Sequence, residues 1–378
     1  MKKLILKCPY SFGDIVMLTA TLRDLHKKYP RQFLTDVRDS YSEVWEHNPY
    51  ITPLDENDPG VRVLKCHYPL INRSNRLPYH CLHGFRLFLN ESLGLAIEPT
   101  EFKGDIHISN EEKSWYSQVQ ELTGQDTPYW IVAAGGKYDV TIKWWETERY
   151  QEVVDYFRGK IQFVQVGEHG HHHPKLNGAI DLRGKTDARQ LIRLVYNSQG
   201  VLCGVTALMH LAAAVEVKKG GPLNRPCVVV AGGREATHWA AYPFHQFIHN
   251  VGALKCSAYG GCWRSRTFPL GDGEQGDDPR YLCVDVVGKL PRCMHMIGAH
   301  EVITRIETFY DGGALKYLTP WQEKAAAKGV RATRLNGFDE VLSVYSARAA
   351  SETFIQTIPA YPRKIGRASC RERVYVLV

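Results

Sequence analysis

Long apolar runs are missing from this chain, and so is any strong excess of charge. No stretch approaches the ~20 consecutive apolar residues that cross a bilayer as a helix. The opening residues, MKKLILKCPYSFGD, hold only the run LIL before Lys7, too little for the core of a signal peptide. They read instead as a buried strand. A cytoplasmic protein with no transmembrane segment is expected, with peripheral membrane contact left open. Charge is equally restrained: 47 Lys plus Arg stand against 40 Asp plus Glu in 378 residues, a net of +7. That mild excess suits an anionic ligand, but no clustered basic stripe of the kind that grips nucleic acid is present. No fixed-period repeat and no low-complexity tract occurs. Hydrophobic residues at 44% and charged residues at 23% exclude a largely disordered chain. The ten cysteines include no paired C-x₂-C, and without an export segment they point to free thiols or metal ligands rather than a disulfide framework.

Residues 364–378, KIGRASCRERVYVLV, have no apolar period and resemble nothing that precedes them. Their first twelve residues match the conceptual translation of a sequencing-adapter read-through, so the segment is set aside as an artefact. The other reading is a genuine basic, strand-like terminus. The segment carries Lys364, Arg367, Arg371 and Arg373 against Glu372, so the charge without it is +4. Cys370 leaves with it, and on this reading the natural C-terminus is missing.

What remains alternates strand and helix. LILKC precedes the helical period of DIVMLTATLRDLHKKYP, with Ile15, Leu18, Leu22 and Leu25 on one face. FLTDV and VRVLKC follow as strands, and YHCLHGFRLFLNESLGL as an amphipathic helix. NEEKSWYSQVQELTG reads as one helix, with Asn110 at its N-cap and Gly124 just beyond its end. GQDTP, 124–128, then serves as a linker. A second alternation starts at once: YWIVAAGG, IQFVQVGE, GVLCGV and PCVVVAGG are strands, with helices at ETERYQEVVDYFRG, ARQLIRLVYNSQ and TALMHLAAAV. Near-continuous apolar strands alternating with helices belong to parallel sheets covered on both faces. The expected fold class is therefore α/β, with two Rossmann-like doubly wound domains facing a cleft. Domain one spans 1–123 and domain two 124–310. The second includes an irregular Cys-rich insert at 252–297, HEVITRIETF resumes a helix, and 311–363 reads as the start of a further module.

Doubly wound sheets bind ligands at the carboxyl ends of strands, where helix N-termini present free N–H groups. Three loops fit that rule. Ser11-Phe12-Gly13-Asp14 follows the first strand; Gly13 lets a ligand approach, while Asp14 is either functional or simply an N-cap. Gly135-Gly136-Lys137 through Thr141-Ile142-Lys143 offers close backbone contact and a cation, or else a surface lysine beside two packing tryptophans. Gly204-Val205-Thr206-Ala207-Leu208-Met209-His210 turns from strand to helix with a hydroxyl in place, and His210 alone more often marks a core residue. Glu168 ends a strand, where it can take ribose hydroxyls or merely face solvent. Neither G-x-G-x-x-G after a strand nor G-x-x-x-x-G-K-[ST] is present, which argues against nicotinamide dehydrogenases and P-loop nucleotidases.

Taken in order, SFGDIVMLTATLRDLHKKYP, TIKWWETERYQEVVDYF, VQVGE, DLRGKTDARQLIRLVYNSQGVLCGVTALMHLAAAV and PCVVVAGGRE resemble glycosyltransferase family 9, the ADP-heptose heptosyltransferases. The resemblance runs over about residues 3–310. It implies a GT-B architecture and an inverting transfer of a sugar, heptose by preference, from a nucleotide-diphosphate donor to an acceptor hydroxyl. It also implies Asp14 as catalytic carboxylate, Thr141 and Lys143 at the diphosphate and Glu168 at the nucleoside. Thr206, Ala207 and His210 fall on the family's phosphate-facing motif, with Gly13 beside them. Val205 stands where that motif has its first Asp, which opens the donor to other nucleotide sugars of capsule or glycan assembly. No apolar-flanked D-x-D motif occurs, so no catalytic metal is expected.

Cys256, Cys262, Cys283 and Cys293 are separated by 5, 20 and 9 residues. By spacing alone they are either unrelated thiols or one metal site. The segment resembles the four-cysteine iron site of autotransporter heptosyltransferases, which implies a structural site for iron or zinc. Cys8, Cys203 and Cys227 lie in strand patterns and read as packing; Cys66 and Cys81 fit either role. His169, His171, His172 and His173 read as a solvent-exposed loop at the cleft. ADP-heptose is the favoured donor and a lipopolysaccharide core glycan or a protein the acceptor. An oligomer is compatible with the sequence, and no nucleic-acid partner is expected. A nonenzymatic, metal-stabilised subunit that binds nucleotide sugars is the remaining alternative.

Overall fold

The computed structural model describes residues 1–69, 75, 77, 79–219 and 225–310. The expectations for 311–363 and 364–378 lie outside the described residues. Lys2–Lys7 forms β1, whose Leu4, Ile5 and Leu6 are all buried, as a strand covered on both faces requires. Phe33–Arg38 (β2) and Val61–Lys65 (β3) flank it in parallel. Between β1 and β2 runs α1, Phe12–Lys28, with Ile15, Leu18, Leu22 and Leu25 fully buried. Asp14 in its first turn and His26, Lys27 and Lys28 in its last match the helix dipole. Arg23 on α1 is buried, pairs with Asp24 at 3.1 Å and donates to the carbonyls of Glu101 and Lys103, both at 2.9 Å. Those bonds satisfy the buried guanidinium and tie the chain past α2, Gly84–Leu93, back onto α1.

The segment read as one helix from Asn110 is two. Asn110–Ser114 (α3) is capped by Ser109, not Asn110, and Gln118–Thr123 (α4) is capped by Ser117. The Ser109 hydroxyl accepts the Glu112 N–H at 3.1 Å while the Glu112 carboxylate accepts the Ser109 N–H at 2.8 Å, a reciprocal cap. A second capping serine restarts the helix, so the apolar period continues across a backbone break. Gly124 ends α4 in the left-handed region at φ +71°.

The larger sheet holds β4 (Tyr129–Ala133), β5 (Gln162–Gln165), β6 (Ile180–Asp181), β7 (Gly200–Gly204), β8 (Cys227–Gly232) and β9 (His245–His249). All six run parallel, in the order β6-β5-β4-β7-β8-β9. The sequence carries no clear signal for β6 and β9: one is two residues long, and the other, HQFIH, has only Phe247 and Ile248 as apolar residues. Strand order reverses between β4 and β7, the point where doubly wound sheets open a crevice. The helices α5 (Thr147–Tyr156), α6 (Ala188–Asn197), α7 (Ala207–Ala214) and α8 (Thr237–Ala240) connect these strands. Beyond β9 come a small antiparallel pair, β10 (Val286–Val287) with β11 (Leu290–Pro291), then α9 (Arg292–His295) and α10 (Ala299–Tyr310). One core runs from the first sheet beneath α1 and α7 to β4, β7 and β8. A second packs α5 and α10 on the opposite face of the larger sheet. Two parallel sheets clothed in helices make the α/β fold class expected.

Candidate functional site

Loops leaving β1, β4, β5, β7 and β8 converge on one cleft of about 380 Å³. Of the residues singled out from sequence, Gly13, Asp14, Lys143, Glu168, Thr206, Ala207 and His210 line it. Thr141 does not. Its side chain is fully buried and its hydroxyl accepts the Thr267 N–H at 2.9 Å.

Asp14 is the third residue of α1, and Ser11 is the N-cap, so the N-cap reading of Asp14 is corrected. Its carboxylate accepts the Ser11 N–H at 3.2 Å while facing the cleft. Burial raises its pKa above the ordinary 3.8; the Ser11 N–H, Lys143 and Lys137 oppose that without cancelling it. Gly13 brings α1 against α7: a Cβ built on it would lie 3.0 Å from His210 Cδ2 and 3.3 Å from Ala207 Cα.

Lys143 is not a surface lysine. Its Nζ donates to the Val205 carbonyl at 3.1 Å and pairs with Glu235 Oε1 at 2.8 Å. Arg234 pairs with the same oxygen. Burial lowers the Lys143 pKa, and Glu235 works against that. Burial alone would raise the Glu235 carboxyl, but Lys143 and Arg234 outweigh it and hold it below the usual range. Sequence reading missed Glu235, since GGRE after a strand shows only a polar turn and Lys143 lies far away in the chain.

Thr206 caps α7 without a side-chain bond, and its buried hydroxyl has no hydrogen-bond partner. His210, one turn on, shares Nδ1 with the Tyr242 hydroxyl at 2.8 Å. Burial, then His80, Lys143 and His245, bring its pKa down to about 3, so its ring is neutral near pH 7. Glu168 is mostly exposed and stands 3.4 Å from His171 Nδ1.

The histidine tract is not a free loop. His172 stacks on Trp144 with ring centroids 4.1 Å apart, and its backbone exchanges hydrogen bonds with Gly136 at 2.8 and 3.1 Å. His173 Nδ1 bonds the Ala134 carbonyl at 2.8 Å. Gly135, at φ +90°, makes that docking possible, because a Cβ there would sit 2.0 Å from the His172 carbonyl oxygen. The close approach expected for a ligand is made by the chain itself. His169 alone of the four is exposed.

None of the nine described cysteines is in a disulfide. Cys8, Cys66, Cys81, Cys203 and Cys227 are buried. In the Cys-rich segment, burial first and then the neighbouring thiols raise Cys262, Cys283 and Cys293, the last to about 11. Backbone amides of Arg264, Asp285 and Gly233 oppose the rise at those sulfurs. Four thiols with N–H groups directed at three of them fit the donor chemistry of a thiolate metal site. The four sulfurs are nevertheless not gathered within 4.8 Å of one another. Among the described residues, Glu46, His47 and Glu112 form the group that meets that spacing. Arg189 already sits on both carboxylates, 3.2 Å from Glu46 and 2.6 Å from Glu112, and a cation there would compete with its guanidinium.

Residues 71–219 match the model of glycosyltransferase family 9 (heptosyltransferase), less than half of the chain. Among solved structures, a family 9 glycosyl transferase from Veillonella parvula is similar at 16% identity and a TM-score of 0.54, over 81% of this chain and 96% of that one. The iron-containing dodecameric glycosyltransferase TibC of enterotoxigenic E. coli is similar at 12% identity and a TM-score of 0.53, over 82% and 76%. TibC in complex with ADP-D-β-D-heptose is similar at 13% identity and a TM-score of 0.54, over the same shares. At these identities the likeness speaks to the fold. No curated protein matches the chain.

Proposed function

We propose that this chain, whose residues 71–219 match the family 9 glycosyltransferase model, is a glycosyltransferase that transfers heptose from ADP-heptose to an acceptor hydroxyl with inversion. One observation carries this reading: Asp14, Lys143 and the N-terminus of α7 line a single cleft. An acceptor hydroxyl is a poor nucleophile until a positioned base takes its proton. Asp14 is that base. The freed oxygen attacks the anomeric carbon from the side opposite the nucleotide, and the bond from that carbon to the diphosphate oxygen breaks. Negative charge then grows on the leaving diphosphate, where Lys143 and the α7 N-terminus meet it. The unpartnered Thr206 hydroxyl supplies a further donor, Glu168 takes the nucleoside, and Thr141 braces the loop that carries Lys143 by holding Thr267.

Calorimetry with ADP-heptose against UDP- and GDP-linked sugars tests the donor. Preferential binding of ADP-heptose is expected; Val205 makes the other sugars the necessary comparison. Tighter binding of a UDP- or GDP-sugar overturns the heptose assignment. We further propose that Cys256, Cys262, Cys283 and Cys293 hold a structural iron or zinc, which would brace an irregular segment that has little apolar core of its own. The acceptor is a lipopolysaccharide core glycan or a protein hydroxyl, consistent with a cytoplasmic enzyme. Among the described residues no helix is long and apolar enough to cross a membrane. TibC is a dodecamer; assembly of this chain is proposed by analogy and read by light scattering.

A further inference from the structure

Glu235 stands just past the end of β8, buried in the cleft wall. Its two oxygens are unlike. Oε1 is held by Lys143 at 2.8 Å and by Arg234, whereas Oε2 is buried and has no partner. A buried acceptor left without a donor is destabilising, and more so when it carries charge. The two cations keep the carboxyl ionised, so Oε2 can only accept a hydrogen bond. The cleft's other carboxylates are differently placed: Asp14 bonds the Ser11 N–H, Glu168 is mostly exposed beside His171, and Asp139 is exposed. Val205, on the neighbouring strand end, offers the cleft no polar side chain, and Lys143 takes its carbonyl.

We propose that Glu235 reads the donor's sugar: Oε2 accepts glycosyl hydroxyls, while Oε1 keeps Lys143 turned toward the diphosphate. A nucleoside diphosphate alone brings no hydroxyl to that point; a glycosyl group brings several. Glu235 therefore separates the nucleotide sugar from its nucleotide product, and favours sugars whose hydroxyls reach the wall formed by β8. This inference rests on the donor-site reading given above.

The test is calorimetry of the full-length chain and its Glu235→Gln and Glu235→Asp variants with ADP and with ADP-heptose. In Glu235→Gln, ADP binding is expected to hold or to tighten slightly, because Lys143 loses its counter-charge. ADP-heptose binding is expected to weaken by about tenfold or more, the effect of losing a hydrogen bond to a charged group. Glu235→Asp, which keeps the charge but draws it back, is expected to fall between. Equal losses for both ligands would mean that Glu235 only holds Lys143, and an unchanged preference for the sugar would remove it from the site; either overturns the inference. If both variants fail to fold, wild-type protein with a series of ADP-deoxyheptoses decides. One deoxy position is expected to cost about tenfold, and a flat series overturns the assignment. Wild-type protein that binds neither ADP nor ADP-heptose overturns the donor-site reading itself, and this inference with it.

Discussion

At the scale of single residues, the cleft contrasts a carboxylate tuned upward with a histidine tuned out of range. As the proposed base, Asp14 acts only when ionised, and its partial burial raises its pKa above 3.8. The acid limb of the rate profile is therefore expected above the range of an exposed aspartate, with activity rising as pH increases through it. His210 and His80 are both held near 3 by burial, so neither adds a limb near neutral pH. A kcat–pH series checks both points, and an inflection near 6.5 would implicate one of the histidines. Asp14→Asn is expected to lower kcat by about 10²–10⁴-fold, the usual contribution of a positioned base, while calorimetry shows donor affinity little changed.

At the scale of elements, what matters is how helices and loops are held in place. Arg189, in the first turn of α6, donates to both oxygens of Glu112 on α3 and to the His107 carbonyl at 3.0 Å. Burial would raise Glu112, but Arg189 and the Ser109 cap hold it down at about 2. With the folded pKa depressed, the pair's stability is full above the ordinary 4.5 and is lost as pH falls toward 2. Arg189→Met leaves a buried carboxylate uncompensated and is expected to cost about 3–5 kcal/mol in denaturant unfolding. Gly135→Ala drives a Cβ into the His172 carbonyl and is expected to lower the Tm, losing at least ~1–3 kcal/mol. The strands around the crevice were legible because YWIVA, GVLCG and CVVVAG have few ways to fold except as buried parallel strands. The loops that place Lys143 and Thr206 were legible because they follow two of those strands, and the loop of Asp14 because it follows β1. Glu235 and the docking of His172 on Trp144 were not, since each depends on partners distant in sequence and on no local period. The break between α3 and α4 was hidden for the opposite reason: two local caps compete with one continuous apolar stripe.

At the scale of the molecule, the core beneath α1 continues beneath α7 without interruption from one sheet to the next. The two halves around the cleft are thus expected to melt together, as one main calorimetric transition whose van't Hoff and measured enthalpies agree. Loss of the proposed cysteine-bound metal would lower that transition. Elemental analysis after mild purification is expected to give near-stoichiometric iron or zinc, reduced in Cys283→Ser, and a metal-free, equally stable protein rules the site out. The meeting of Gly13 with Ala207 and His210 then acquires a mechanical sense. One helix carries the proposed base and the other the turn proposed to face the diphosphate, and they rest on each other at a residue with no side chain. The hydrogen of Gly13 acts as the stop of a caliper. A single methyl group there would press on His210 and Ala207, and one jaw would have to give by a few tenths of an ångström with no proposed reacting group altered.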